Sequence, residues 1–108
     1  MSYGQAFASA LADGWPGPEY DDIMAGVDHL LSRPYVDGMK LGISGASAGG
    51  TLTDWAITHT DRFGAAVSIS DIADLLAYWF LGDQPDIEDP TKQPWLDPKD
   101  KKLSPITY

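Results

Sequence analysis

A serine stands at position 47 within "GISGASAGGTLTDW", residues 42 to 55, with a glycine two places before it and another two places after. Gly45-Ala46-Ser47-Ala48-Gly49 fits G-x-S-x-G, a spacing suited to a hydroxyl nucleophile on a tight strand-to-helix turn. The glycines let the chain double back where a Cβ would strike a neighbouring strand or helix. The turn pushes the Ser47 hydroxyl outward, and the Ala48 N–H opens onto the same space, where it suits an oxyanion donor. The chemistry on offer is attack on an acyl carbon. A small-residue turn carrying a bystander serine would read the same, so the flanking elements have to decide.

Ser47 also needs partners. Its hydroxyl is protonated at neutral pH, and a general base must come within ~3 Å of it, or within one water. The chain has two histidines, His29 and His59. On a helix beginning near Ala48, His59 lies ~18 Å from Ser47 along the axis at 1.5 Å per residue. It reads as a helix-end residue beside the last carbonyls, with Asp61 and Arg62 making the turn. His29 falls near the end of the preceding helix. Either histidine is a base only in trans, from a second copy of the chain. Asp71 follows a strand on the same edge as Ser47 and is the candidate acid, although an N-cap for the next helix accounts for it as well.

Other chemistries find less support. There is no cysteine, which excludes disulfides, thiolate metal sites and a thiol nucleophile. The net charge of −9 argues against nucleic acid or an anionic membrane as partner, since both need clustered Lys and Arg. Lys99, Lys101 and Lys102 are interleaved with Asp97 and Asp100 and read as a solvated surface. Asp83, Asp86, Glu88 and Asp89 lack the glycine turn and final Glu of a calcium loop. Glu19, Asp21 and Asp22 complement a helix start. No metal and no cofactor are expected. No run of ~18 apolar residues is present to span a membrane. "MSYGQAFASALADG" lacks the basic region and long apolar core of a signal peptide, so a cytoplasmic location is expected.

The elements that would position Ser47 follow from periodicity. Residues 4 to 12 are Ala-rich and suit a short helix, and the Gly- and Pro-containing "DGWPGPEYDD" reads as a loop. Ile23, Val27, Leu30 and Leu31 form one apolar stripe, predicting a helix from Glu19 or Tyr20 to Ser32, which Pro34 stops. "MKLGISG", residues 39 to 45, alternates as a strand, and a helix begins near Ala48 with Leu52, Trp55, Ala56 and His59 on one face. "FGAAVSIS", residues 63 to 70, reads as a second buried strand, and "DIADLLAYWFL" as a helix. Residues 82 to 108, with five prolines, are mostly loop with one helical turn near 98 to 103. This order predicts an α/β protein with parallel strands joined by crossover helices. Two strands alone leave open edges, so either the sheet is incomplete or copies associate.

"YGQAFASAL…GWPGPEYDDIMAGVDHLLSRPYVDGMKLGISGASAGGTLTDWAITHTDRFGAAVS" resembles the catalytic domain of the prolyl oligopeptidase family, in the style of its acylaminoacyl-peptidase and dipeptidyl-peptidase branches. The likeness continues through "YWF" and "PWLDPKDKKLSPITY". It implies a three-layer α/β-hydrolase fold, here a single partial domain over residues 1–108 centred on the nucleophile elbow at 42–50. It also implies a Ser, Asp, His triad acting on a peptide, amide or ester. Ser47 falls on the nucleophile and Ala48 on the oxyanion residue, where the family usually has an aromatic. The family's Asp and His follow the "SPITY" segment, and its second oxyanion donor is a tyrosine upstream of "YGQAF". "YWF" and Trp95 fall on a segment that lines the substrate-facing surface in the family, and rim packing explains them as well. The expected function is therefore a serine peptidase or esterase, weak unless base and acid come from another chain or further sequence. A non-catalytic hydrolase fragment that folds by self-association is the alternative. The expected partners are the substrate and either further copies or the remainder of a longer hydrolase.

Overall fold

The computed structural model of the chain describes residues 4–9, 15–81 and 102–108. Along them run α1 (Gln5–Ser9), α2 (Pro18–Leu31), β1 (Gly42–Ala46), α3 (Ala48–His59), β2 (Ala65–Ile69) and α4 (Leu75–Leu81), then a 3-10 turn at Pro105–Thr107. β1 and β2 pair in parallel, in register from Gly42 with Ala65 to Ala46 with Ile69. The crossover helix α3 lies against both strands, and α2 and the 3-10 turn pack on α3. Parallel strands joined through a helix are the unit of an α/β fold, as expected of part of an α/β-hydrolase.

Local chemistry explains the helices. Pro18 opens α2 with its φ already set for a helix, Glu19 and Asp21 occupy the first turn, and His29 the last. The predicted stripe faces inward at Ile23, Val27 and Leu31, which are half-buried, while Leu30 is exposed. Asp28 on α2 pairs with Arg62 at 2.6 Å, tying α2 to the segment after α3. In α3 the buried residues are Gly50, Thr51, Thr53, Trp55 and Ala56. Their small size at the start of the helix lets it approach the sheet closely, and Thr53 satisfies its hydroxyl on Gly49 O at 2.9 Å.

Two boundaries and one burial differ from the sequence reading. β1 begins at Gly42 rather than Met39, because Asp37 captures the residues before it in a turn. Its Oδ1 accepts the Met39 N–H at 3.0 Å, its carbonyl accepts the Lys40 N–H at 3.0 Å, and its Oδ2 meets Lys40 Nζ at 3.3 Å. α4 begins at Leu75, where Asp74 Oδ1 accepts the N–H groups of Leu76 and Ala77 at 2.9 and 3.1 Å. The cap is Asp74, not Asp71. β2 is exposed along all five residues rather than buried, with Val67 at 56% and Ile69 at 53%. Ser68 faces α3, its Oγ on Gly50 O at 3.1 Å, so strand alternation puts Val67 and Ile69 on the opposite face of the sheet, away from that helix.

The far end of the chain returns to the core. Ser104 and Pro105 are buried, Ser104 Oγ accepts the Leu75 N–H at 3.0 Å, and Ala73 O accepts the Ile106 N–H at 3.0 Å. Among the described residues, no helix is long and apolar enough to cross a membrane. The acidic loop from Asp83 to Asp89, Trp95 and the lysines at 99 and 101 lie outside the described residues, as does most of the helical turn expected near 98 to 103.

Candidate active site

Ser47 joins β1 to α3 with φ 55° and ψ −125°, a left-handed backbone that a side chain adopts only under strain. Its conformation is held from both sides. The Ser47 N–H donates to Ile69 O at 2.9 Å, and Ser47 O accepts the Thr51 N–H at 3.1 Å. The serine is thus bonded to β2 before the chain and to the first turn of α3 after it. Ser70 shares the left-handed region at φ 50°, so both residues following the last strand pair, Ala46 with Ile69, turn sharply on the same rim.

The glycines around the turn differ in what they do. A Cβ on Gly45 would lie 2.1 Å from Gly49 O and 2.3 Å from Gly49 C, so position 45 admits glycine alone. A Cβ on Gly49 would meet open space. The second close approach falls one residue later. A Cβ on Gly50 would sit 2.9 Å from Ile69 O, 3.1 Å from Asp71 Cβ and 3.2 Å from Ser68 Oγ. The reading that both motif glycines avoid a clash therefore holds for Gly45, while Gly50, outside the motif, takes the place assigned to Gly49. Ala48 is the first residue of α3, and its N–H has no intrahelical partner by position.

The candidate partners of Ser47 lie in two places. His59 closes α3 at the end away from Ser47, its ring stacked on Trp55 with centroids 4.0 Å apart and its Nδ1 2.8 Å from Trp55 O. Tyr108 and Tyr20 complete this aromatic cluster at 4.6 and 6.0 Å from the imidazole. His29 lies in the last turn of α2, where Arg33 donates to its Nε2 at 2.8 Å. The structure brings neither histidine to Ser47 within one chain.

Asp71 does lie at the rim. It packs against Gly50 just past the end of β2, and its side chain meets that of Asp54 from α3. Burial, then the Asp71 side chain, push the Asp54 carboxyl up from 3.8 to about 6, against a smaller opposing effect of the Ser68 hydroxyl. Sequence reasoning missed Asp54, Gly50 and Thr51. Thr51 is buried and its Oγ1 accepts the Ile72 N–H at 2.9 Å. One signal was present: Gly50 and Asp54 are four residues apart, hence on one helix face, in register with the rim that carries Ser47. Among the described residues no group of three potential ligands could hold a metal.

Comparison with known proteins bears on this arrangement. The prolyl oligopeptidase family pattern matches residues 1–107. The uncharacterized peptidase YuxL of Bacillus subtilis is 38% identical over 82 residues, covering 75% of this chain and 12% of that protein. A dipeptidyl-peptidase 5 of Porphyromonas gingivalis is 34% identical over 74 residues, covering 68% of this chain and 11% of that protein. A dipeptidyl-peptidase 5 of Schizosaccharomyces pombe is 38% identical over 58 residues, or 53% of the chain and 8% of that protein. The matched stretch therefore spans about a tenth of the length of these relatives. With a match over nearly its whole length, the chain belongs to the prolyl oligopeptidase family.

Proposed function

We propose that this chain is the nucleophile-bearing part of a serine peptidase, in which Ser47 attacks the carbonyl carbon of a peptide, amide or ester. The observation that carries this reading is the left-handed backbone of Ser47 between a parallel strand and a helix. Strain of about 1–3 kcal/mol at one residue is kept where the geometry is used. As the hydroxyl adds to the carbonyl, its proton passes to a base and the carbonyl oxygen becomes an oxyanion, which the Ala48 N–H stabilises. The names of the relatives favour peptide bonds as substrate.

The base comes from outside the single described chain. Either the remainder of a longer hydrolase supplies it, or His59 or His29 serves Ser47 of a second copy, with Asp71 as acid. The exposed Val67 and Ile69 on β2 favour cover by further protein of one of these two kinds. Hydrolysis by the chain alone is then weak and best seen on activated esters, where the leaving group needs little help. A cytoplasmic location fits the composition.

A fluorophosphonate probe tests the reading. With the base present, in associated copies or in a longer hydrolase carrying this segment, wild type acquires one label at this site and Ser47→Ala acquires none. A folded wild type that stays unlabelled in both settings overturns the assignment and leaves the non-catalytic, self-associating fragment.

A further inference from the structure

Behind the elbow, hydrogen-bond donors are too few for the acceptors. Ser68 Oγ lies 3.1 Å from Gly50 O, to which it donates, and the same hydroxyl meets the Asp54 carboxyl. It has one hydrogen for two acceptors. Asp54 also meets the solvent-exposed Asp71, and Asp54 Oδ2 is shut off from solvent with no donor. Two carboxylates in contact repel unless a proton lies between them. α3 runs so near the end of β2 here that a Cβ on Gly50 would sit 2.9 Å from Ile69 O and 3.1 Å from Asp71 Cβ.

We propose that Asp54 and Asp71 share one proton, and that this proton clamps α3 to the end of β2 beneath the Ser47 elbow. Gained in mild acid, it supplies the missing donor and ties the helix to the rim. Lost toward neutral pH, it leaves two facing charges that loosen the support of Ser47. Asp54 and Asp71 are positioning residues, acting through the Gly50 contact and the Ser47 N–H bond to Ile69 O.

The charged groups on the packed elements do not offer an alternative partner. β1 and β2 carry no titratable side chain. From α2, Tyr20 reaches His59 at the far end of α3, and from the C-terminal turn Tyr108 reaches Trp55 and His59. Beyond β2, Asp74 is engaged in capping α4. Asp71 is the charge that bears on Asp54.

The sign follows from the folded chain's raised affinity for the proton. Asp54 ionises at about 6 when folded against 3.8 as a free side chain, so the clamp's contribution is full below 3.8 and is lost as pH rises to 6 and beyond. The wild-type melting temperature should therefore fall by several degrees between pH 4.5 and 7.5. Asp54→Asn replaces the shared proton with amide hydrogens that Asp71 can accept, and this component of the slope should vanish. Carboxyl-carbon NMR of aspartate-labelled chain reads the proton directly. One resonance should titrate near 6 in the wild type, be missing in Asp54→Asn and be displaced in Asp71→Asn. If every aspartate titrates below 5, or if Asp54→Asn keeps the wild-type slope, the clamp is overturned. Its role beneath the nucleophile rests on the function proposed for Ser47, but neither readout does. Loss of probe labelling with the titration intact would sink the nucleophile alone, and the reverse would sink the clamp alone.

Discussion

Ser47 occupies a backbone conformation that its own side chain disfavours, and Gly45 and Gly50 allow it to persist. The two glycines of the motif differ in kind, and that difference is measurable. Gly45→Ala forces a Cβ into the backbone of Gly49, which no rotamer change relieves. It should destabilise the chain by at least about 2 kcal/mol in denaturant unfolding. Gly49→Ala, within the first turn of α3 and facing open space, should be neutral or stabilise by up to about 1 kcal/mol. Ser47→Gly should raise stability by about 1 kcal/mol or more while abolishing probe labelling, because glycine adopts φ 55° without strain. An unchanged stability in that variant would remove strain from the account of the site. His59, by contrast, is engaged by Trp55 and two tyrosines, so within one chain it packs the end of α3.

At the scale of elements, α3 is the piece on which the site depends. Its first turn carries the oxyanion candidate Ala48, its buried face meets both strands, and its far end anchors α2 and the C-terminal turn. Thr51 ties it to the segment after β2. Thr51→Val keeps the shape but strips the Ile72 N–H of its acceptor, a loss expected to cost about 1–3 kcal/mol in unfolding experiments. Asp74 caps the next helix, and Asp74→Ala should cost about 1 kcal/mol. The same change at Asp71 should instead show itself in pH dependence, since Asp71 caps nothing and faces Asp54. Comparing these two aspartates, three residues apart, separates a cap from a proton-sharing pair.

The described residues of the whole chain amount to two strands with their helical cover, and β2 is exposed along its length. Val67 and Ile69 stand open to solvent on a strand next to the nucleophile turn. If β2 is covered by a second copy, then Val67→Thr together with Ile69→Thr should reduce concentration-dependent association in light scattering. Cover by the remainder of a longer hydrolase instead predicts that the double variant changes nothing in the isolated chain. The match to relatives about six times longer makes both outcomes informative about where Ser47 finds its base.

The sequence by itself determined the order of elements and the place of the nucleophile turn. Apolar periodicity and the small residues around Ser47 act locally, and local interactions are what a sequence displays. The family was legible on the same grounds, as a series of landmarks in order. Only the tertiary structure decided that Gly50, not Gly49, is the close contact, that Asp74 rather than Asp71 caps α4, and that Asp37 shortens β1 from its start. These depend on which backbone atom lies opposite a residue, and that is settled when α3 docks on the strands. The meeting of Asp54 with Asp71 has the same origin. Seventeen residues separate them along the chain, and the parallel register of β1 with β2, bridged by α3, is what places the two carboxyls together.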